Sequence, residues 1–358
     1  SAESGIKYFL FGSFASAMLL YGFSLLYGFT ATTNLEGIAI ALTQGGDLVA
    51  VLVAMVLVFA GFGFKISAVP FHFWTPDVYQ GAPTPVTGFL SVASKAASFA
   101  VLIRFLLGVF PGAVVIEGQT IQHFWVLFVG VAAVASMTFG NIMALRQSNI
   151  KRLLAYSSIA QAGYALVGVA ALQGGPTLDG GVNLGVALGI SAVAFYMFMY
   201  TFSNLVIFAG IIVVTKHVGS EDISDYAGLQ RRSPWLALAM AIGILSLAGI
   251  PPAAGFFGKF FLFQAAVESN LASLAIIGVL NSIIALYYYL VVIKIMYVDK
   301  GPDDDKPFSL STPYAWALGA ASVVVLLLGT IAVTPIINWA REGANALAQA
   351  VSTIVAGL

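Results

Sequence analysis

Stretches of about twenty or more apolar residues follow one another along almost the whole chain, separated by short segments rich in Gly, Pro, Asn or charge. A run of that length crosses the hydrocarbon of a bilayer as a helix, because a helix satisfies its own backbone hydrogen bonds where no water can. Nine such spans are predicted, near 4–29, 48–70, 86–110, 122–144, 151–172, 184–215, 234–265, 270–297 and 312–340. The sixth and seventh are longer than a crossing needs and are expected to tilt or break. The remainder, 341–358, reads as a short amphipathic tail. The expected fold is all-α, a polytopic transmembrane helix bundle.

Composition excludes most alternatives. Only 8% of the 358 residues are charged, 15 basic and 15 acidic, against roughly 25% in a soluble domain. That is too little polar surface for a water-soluble enzyme. The absence of cysteine excludes disulfides, Cys-ligated zinc and iron–sulfur clusters. The three histidines, His72, His123 and His217, lie near predicted span ends rather than paired on facing spans, so no redox cofactor is expected in this chain. Zero net charge offers no basis for nucleic-acid binding. The start, Ser1-Ala2-Glu3-Ser4, lacks both an initiator Met and a signal-peptide pattern, and is expected to be internal to a longer subunit.

Basic residues set the orientation. The face holding the N-terminus, side A, collects Lys7, Arg146, Lys151, Arg152, Lys216, Arg231, Arg232, Lys294, Lys300 and Lys306, ten in all. Side B has only Arg104 and Arg341 near it. Side A is therefore expected to be cytoplasmic. Lys65, Lys95 and Lys259 remain, all inside predicted spans.

A charged Lys at mid-membrane costs about 2.5–3.5 kcal/mol on insertion scales. One reading is snorkelling, in which the amine reaches the headgroups. It suits Lys65, near its span's end, better than Lys95 or Lys259. The other reading is a proton relay, since burial disfavours the ammonium form and lets a lysine release and regain a proton near neutral pH. Gly88, Ser91, Lys95 and Ser98 share one helix face, which fits bound water and equally fits close helix packing.

Two of these lysines stand beside helix-breaking sequence: Gly61-Phe62-Gly63-Phe64-Lys65 through Pro70, and Gly249-Ile250-Pro251-Pro252 ahead of Gly258-Lys259. Broken spans tend to line cavities, and paired breaks point to inverted repeats around a transport path. The two breaks lie five spans apart on helices of opposite sense. Residues 1–110 are accordingly expected to be the last three spans of a first five-helix repeat and 111–297 a second full repeat. Residues 298–358 hold a loop, the last transmembrane helix and the tail.

The run from Gly63 to Val86, with Lys65, His72 and Trp74-Thr75-Pro76-Asp77-Val78-Tyr79, resembles the N-type antiporter-like membrane subunit of respiratory complex I and of its photosynthetic counterpart. Ala93-Ser94-Lys95, Asn149-Ile150-Lys151-Arg152 through Ile159, and Leu247 through Lys259 match as well. The resemblance implies an antiporter-like fold lacking its N-terminal helices, including a glutamate that would partner Lys65. It implies proton translocation in which Lys65, Lys95 and Lys259 form the relay and Glu3 with Lys7 an acid–base pair. That pair is equally a surface ion pair. NAD, FMN, iron–sulfur clusters and quinone would reside in partner subunits. The expected partners are the other membrane subunits of complex I, including neighbouring antiporter-like ones, together with lipid, water and protons. The expected location is the bacterial cytoplasmic membrane or a thylakoid-type membrane. A cation/proton antiporter subunit and a structural membrane scaffold are the alternatives.

Weaker candidates complete the reading. His72 either passes protons inward or orders its loop. Ser157, Gln161 and Tyr164 share a helix face and either bridge Lys95 to Lys259 through water or make packing hydrogen bonds. Tyr287-Tyr288-Tyr289 reads as interfacial anchoring, Asp303-Asp304-Asp305 as a solvated loop, and the segment with Glu221, Asp222, Asp225, Arg231 and Arg232 as a hydrated loop or docking site.

Overall fold

The computed structural model describes residues 1–173, 184–301 and 306–356, and these contain fourteen α-helices. In chain order they are α1 (Ala2–Thr30), α2 (Leu35–Gln44), α3 (Leu48–Ile66), α4 (Trp74–Gly81), α5 (Thr84–Val109), α6 (Ile121–Ala144), α7 (Ile150–Ala170), α8 (Leu184–Val218), α9 (Leu229–Arg232), α10 (Pro234–Ala248), α11 (Ala254–Glu268), α12 (Ala272–Tyr297), α13 (Thr312–Leu328) and α14 (Val333–Ala356). A hairpin of Val115–Ile116 with Gln119–Thr120 joins α5 to α6. The aspartates 303–305 lie outside the described residues.

Seven helices, α1, α3, α5, α6, α7, α8 and α12, are each long and apolar enough to cross a membrane. The chain is an integral membrane protein. The other two predicted spans are divided. The span at 234–265 is α10 and α11, 15 residues each, interrupted where Pro251-Pro252 falls. The span at 312–340 needs correction. It ends at Leu328, and α14 begins at Val333, bent 79° from α13. The tail is thus no short appendage but a 24-residue helix that starts inside the expected span and packs on α8 and α5. The bend follows from a close approach: a Cβ on Gly329 would lie 1.9 Å from the Pro252 carbonyl oxygen, so this backbone rests directly on the α10–α11 connection. Helix α2 was not expected; its start is fixed by Asn34, whose side chain accepts the N–H groups of Glu36 and Gly37.

Helix α7 is the centre of the bundle. Every residue in it except Arg152 is buried, among α4, α6, α8, α11 and α12. Its approach to α6 depends on absent side chains. A Cβ on Gly163 would meet the Met137 nitrogen at 2.7 Å, and one on Gly140 would meet the Tyr156 carbonyl oxygen at 2.7 Å. Without a hydrophobic driving force between helices in lipid, such backbone proximity supplies the packing energy.

Two turns interrupt the bundle in the same manner. Helix α3 stops at Ser67 (φ 63°), where the Ala68 N–H returns to the Gly63 carbonyl at 2.8 Å. Helix α10 stops at Gly249 (φ 85°), where the Ile250 N–H returns to the Leu245 carbonyl at 3.1 Å. These are left-handed helix caps. Each leads through a cis X–Pro bond, Val69–Pro70 and Pro251–Pro252, into a new helix. Lys65 precedes its turn, whereas Lys259 follows its own.

Candidate functional site

The second turn leaves carbonyls at the end of α10 without helical partners. Lys259, one helical turn into α11 and 4% exposed, reaches back with its Nζ 3.2 Å from the Ala248 carbonyl oxygen. The same ammonium lies 4.5 Å from the centre of the Tyr164 ring on α7, a cation–π contact. Ser246 completes the turn by accepting the Gly255 N–H at 3.2 Å and the Ser203 hydroxyl at 2.7 Å.

Lys95 is 1% exposed on α5. Its Nζ donates to the Ser158 carbonyl at 2.9 Å and also to the Ser158 hydroxyl. The Tyr79 hydroxyl, from α4, shares that Ser158 oxygen at 3.1 Å. The serines beside Lys95 turn back on their own helix, Ser91 to the Gly88 carbonyl and Ser98 to the Ser94 carbonyl. The partner that holds Lys95 therefore comes from α7.

Between these amines, α7 presents a hydrogen-bonded series. Ser157 bonds the Tyr289 hydroxyl of α12. Gln161 donates to Tyr289 Oη at 3.1 Å and to the Leu247 carbonyl at 3.0 Å. The Tyr196 hydroxyl of α8 donates to Gln161 Oε1. From Ser158, which holds Lys95, to Tyr164, which lies against Lys259, the rise along α7 is about 9 Å. A branch runs on: Asn141 of α6 donates to Tyr164 Oη at 3.2 Å and to the Asn281 carbonyl at 3.0 Å, and accepts the Tyr288 hydroxyl at 3.0 Å. Tyr288 and Tyr289 are buried, which corrects their reading as interfacial anchors; of the triplet only Tyr287 is exposed.

The other predicted residues lie outside this series. Lys65 is exposed, with its Nζ 3.2 Å from Tyr8 Oη of α1 and no hydrogen bond to either buried lysine among the described residues. Lys7 pairs with Glu3 at 2.7 Å and with Asp77 at 2.6 Å. The second Asp77 oxygen takes Arg152 at 2.8 Å. The Lys7 hydrogen bond, joined by that of Arg152, holds the Asp77 carboxyl below the usual carboxylate range. Beside this cluster Lys151 binds Glu221 at 2.8 Å. Ion pairs thus gather the start of α1, α4, the start of α7 and the α8–α9 connection at one end. His72 is buried against Phe73 and Phe139, each 4.6 Å between ring centres, and its Nδ1 has no partner among the described residues. Burial pushes its imidazole below the ordinary value.

Sequence reasoning missed Tyr79, Tyr196, Tyr289 and Asn141. For Tyr196, Tyr289 and Asn141 the signal was a hydrogen-bonding side chain inside an apolar run, a costly placement without a partner; Tyr79 lies in the polar segment Trp74–Gly81 and carried no such signal.

Residues 1–285 match the model of the family described as NADH:quinone oxidoreductase/Mrp antiporter, transmembrane. The chain belongs to this family. This antiporter-family chain is 45% identical over 344 residues to NADH-quinone oxidoreductase subunit N of Moorella thermoacetica, covering 96% of itself and 68% of that protein. It is 48% identical over 334 residues to the subunit N of Trichlorobacter lovleyi, covering 92% and 64%. The antiporter-family chain thus spans about two thirds of the length of these relatives. A chain in respiratory complex I from Thermus thermophilus superposes with a TM-score of 0.71 at 34% identity, over 91% of this chain and 66% of that one. A chain of the Mrp complex from a Dietzia species shares the fold, with a TM-score of 0.82 at 24% identity over 99% and 70%.

Proposed function

We propose that the chain translocates protons as the N-type membrane subunit of a redox-driven NADH (or ferredoxin):quinone oxidoreductase. The observation that carries this reading is that two buried lysines, Lys95 and Lys259, both lie against α7, with the hydrogen-bonded group of Ser157, Gln161, Tyr289 and Tyr196 between them. Each ammonium is held by groups that accept hydrogen bonds or face it with π density: Ser158 for Lys95, the Ala248 carbonyl and the Tyr164 ring for Lys259. Each amine, once neutral, is a base placed at the end of a hydroxyl and amide series. A proton leaving Lys95 is offered the Ser158 and Tyr79 hydroxyls. Ordered water completes the transfer toward Tyr289, Tyr196 and Lys259, and Tyr164–Asn141 leads onward.

Lys65, bonded to Tyr8, is the entry-side member of the relay. Glu3, Lys7 and His72 stand at the cytoplasmic end, where Asp77 ties α4 to α1 and α7. The α3–α5 segment within 1–110 and the α10–α12 segment within 111–297 act as corresponding parts of two inverted repeats, and 298–358 closes the bundle. The redox reaction, with its NAD, FMN, iron–sulfur and quinone groups, takes place in partner subunits. The partners are the other membrane subunits of that complex, neighbouring antiporter-like subunits among them, in a bacterial cytoplasmic or thylakoid-type membrane.

The test uses the assembled complex in proteoliposomes, with Lys95→Ala and Lys259→Ala each measured for donor-driven acidification and for quinone reduction. Acidification per quinone reduced is expected to fall at least about tenfold, which corresponds to about 1.4 kcal/mol added to the transfer barrier. Normal pumping by both variants at normal complex levels would leave these residues as scaffold. Cation-dependent proton flux without any electron donor would make the chain an exchanger.

A further inference from the structure

A groove of about 1290 Å³ runs between α10 and α13. Its walls from Leu238 on α10 to Leu326 at the end of α13 are apolar apart from Ser322. Three features at its upper end are different in kind. Arg232 lines the groove there, its guanidinium 5.2 Å from the centre of the Phe308 ring. The buried Arg232 Nε has no hydrogen-bond partner among the described residues. Trp235 and Trp316 flank this end, 77% and 75% exposed. Exposed tryptophans on membrane helices mark the headgroup level, and Arg232 precedes Trp235 by three residues, on the side where basic residues concentrate. From Trp316 to Leu326 the groove descends about 15 Å, at 1.5 Å per residue. One leaflet of a hydrocarbon core about 30 Å thick has the same depth.

We infer that this groove seats one anionic phospholipid of the side A leaflet, its phosphate on the Arg232 guanidinium and its acyl chains between α10 and α13. Charge complementarity selects the headgroup, because a phosphate or phosphoglycerol takes a planar guanidinium through paired hydrogen bonds. The apolar walls and the matching depth select acyl chains over a soluble anion. A basic site between transmembrane helices on the cytoplasmic side is the arrangement that retains acidic lipids.

Gly319 supplies a clean perturbation. It lines the groove, and a Cβ there would meet nothing within 4 Å, so the side chain of Gly319→Phe starts into the groove without a clash at its Cβ. The purified chain in detergent is titrated with phosphatidylglycerol or phosphatidylcholine and examined by native mass spectrometry, with its melting temperature as the control for folding. Wild type is expected to retain one phosphatidylglycerol in preference to phosphatidylcholine. Arg232→Gln is expected to lose about fivefold of that preference, equivalent to about 1 kcal/mol per basic residue near a membrane surface. Arg232→Lys should keep most of it, and Gly319→Phe should lose the bound lipid of either class. Equal retention of both lipids by wild type, or an unchanged preference in Arg232→Gln, would overturn the headgroup assignment. Undiminished binding by folded Gly319→Phe would place the lipid elsewhere. A lipid-free dimer in the same spectra would give the groove to a second copy of the chain.

Discussion

Gln161 is where the series along α7 is most exposed to a single change. Its amide makes three contacts across helix boundaries: to Tyr289 of α12, to the Leu247 carbonyl of α10, and from Tyr196 of α8. Gln161→Met keeps the length and volume of the side chain and removes all three. Interhelical hydrogen bonds in membrane proteins average about 0.6 kcal/mol each, so the loss sums to about 2 kcal/mol. A barrier raised by that amount slows a transfer step about thirtyfold. The packing consequence is milder, since Met fills the site and Ser157 still holds Tyr289. The assay is stopped-flow acidification of proteoliposomes carrying the complex, normalised to quinone reduction and to assembled complex on a native gel. Acidification by Gln161→Met within about twofold of wild type would refute the reasoning. It would leave Ser157, Gln161 and Tyr164 as packing contacts, the other reading their helical spacing allows.

Three further outcomes follow from the geometry. Asp77→Asn is expected to lower stability at pH 7 by about 1 kcal/mol, the scale of a partly exposed ion pair. Because the Asp77 carboxyl lies below its ordinary value when folded, its contribution is complete above about pH 4 and disappears as pH falls through the folded value; the variant should therefore show a flatter acid limb in thermal melts. Gly163→Ala should cost about 1–3 kcal/mol, because its methyl group enters the Met137 backbone and drives α6 from α7, read as a lowered melting temperature of the purified chain. His72, pushed below its ordinary value by burial, contributes stability above about pH 6.5 that is lost as pH falls through its folded value. His72→Phe should reduce the loss of melting temperature between pH 7 and pH 5 and leave pumping intact, and a collapse of pumping would make His72 a proton carrier.

The buried lysines were legible because cost is local. A lysine nine residues into an apolar run, or beyond a Pro-Pro break, carries its penalty in the sequence itself. The face of α7 was legible too, since Ser157, Gln161 and Tyr164 repeat at helical spacing. What they touch was not, because Tyr289 and Tyr196 reach Gln161 from 128 and 35 residues away. A tyrosine near a span end looks the same whether it faces headgroups or a partner helix. The exposure of Lys65 depends on which helices stand beside α1 and α3, which no window of sequence contains. The bend at Gly329 escaped notice because Gly329-Thr330 lacks a proline; the cause is a distant backbone.

That contact joins two parts of the molecule usually considered separately. The elbow between α13 and α14 bears on Pro252 and Ala253 with no side chain between, and seven residues beyond Pro252 stands Lys259. The start of α14 and the start of α11 are thus held together by backbone alone. Any residue larger than glycine at 329 has to displace the connection that leads into the lysine-bearing half-helix α11.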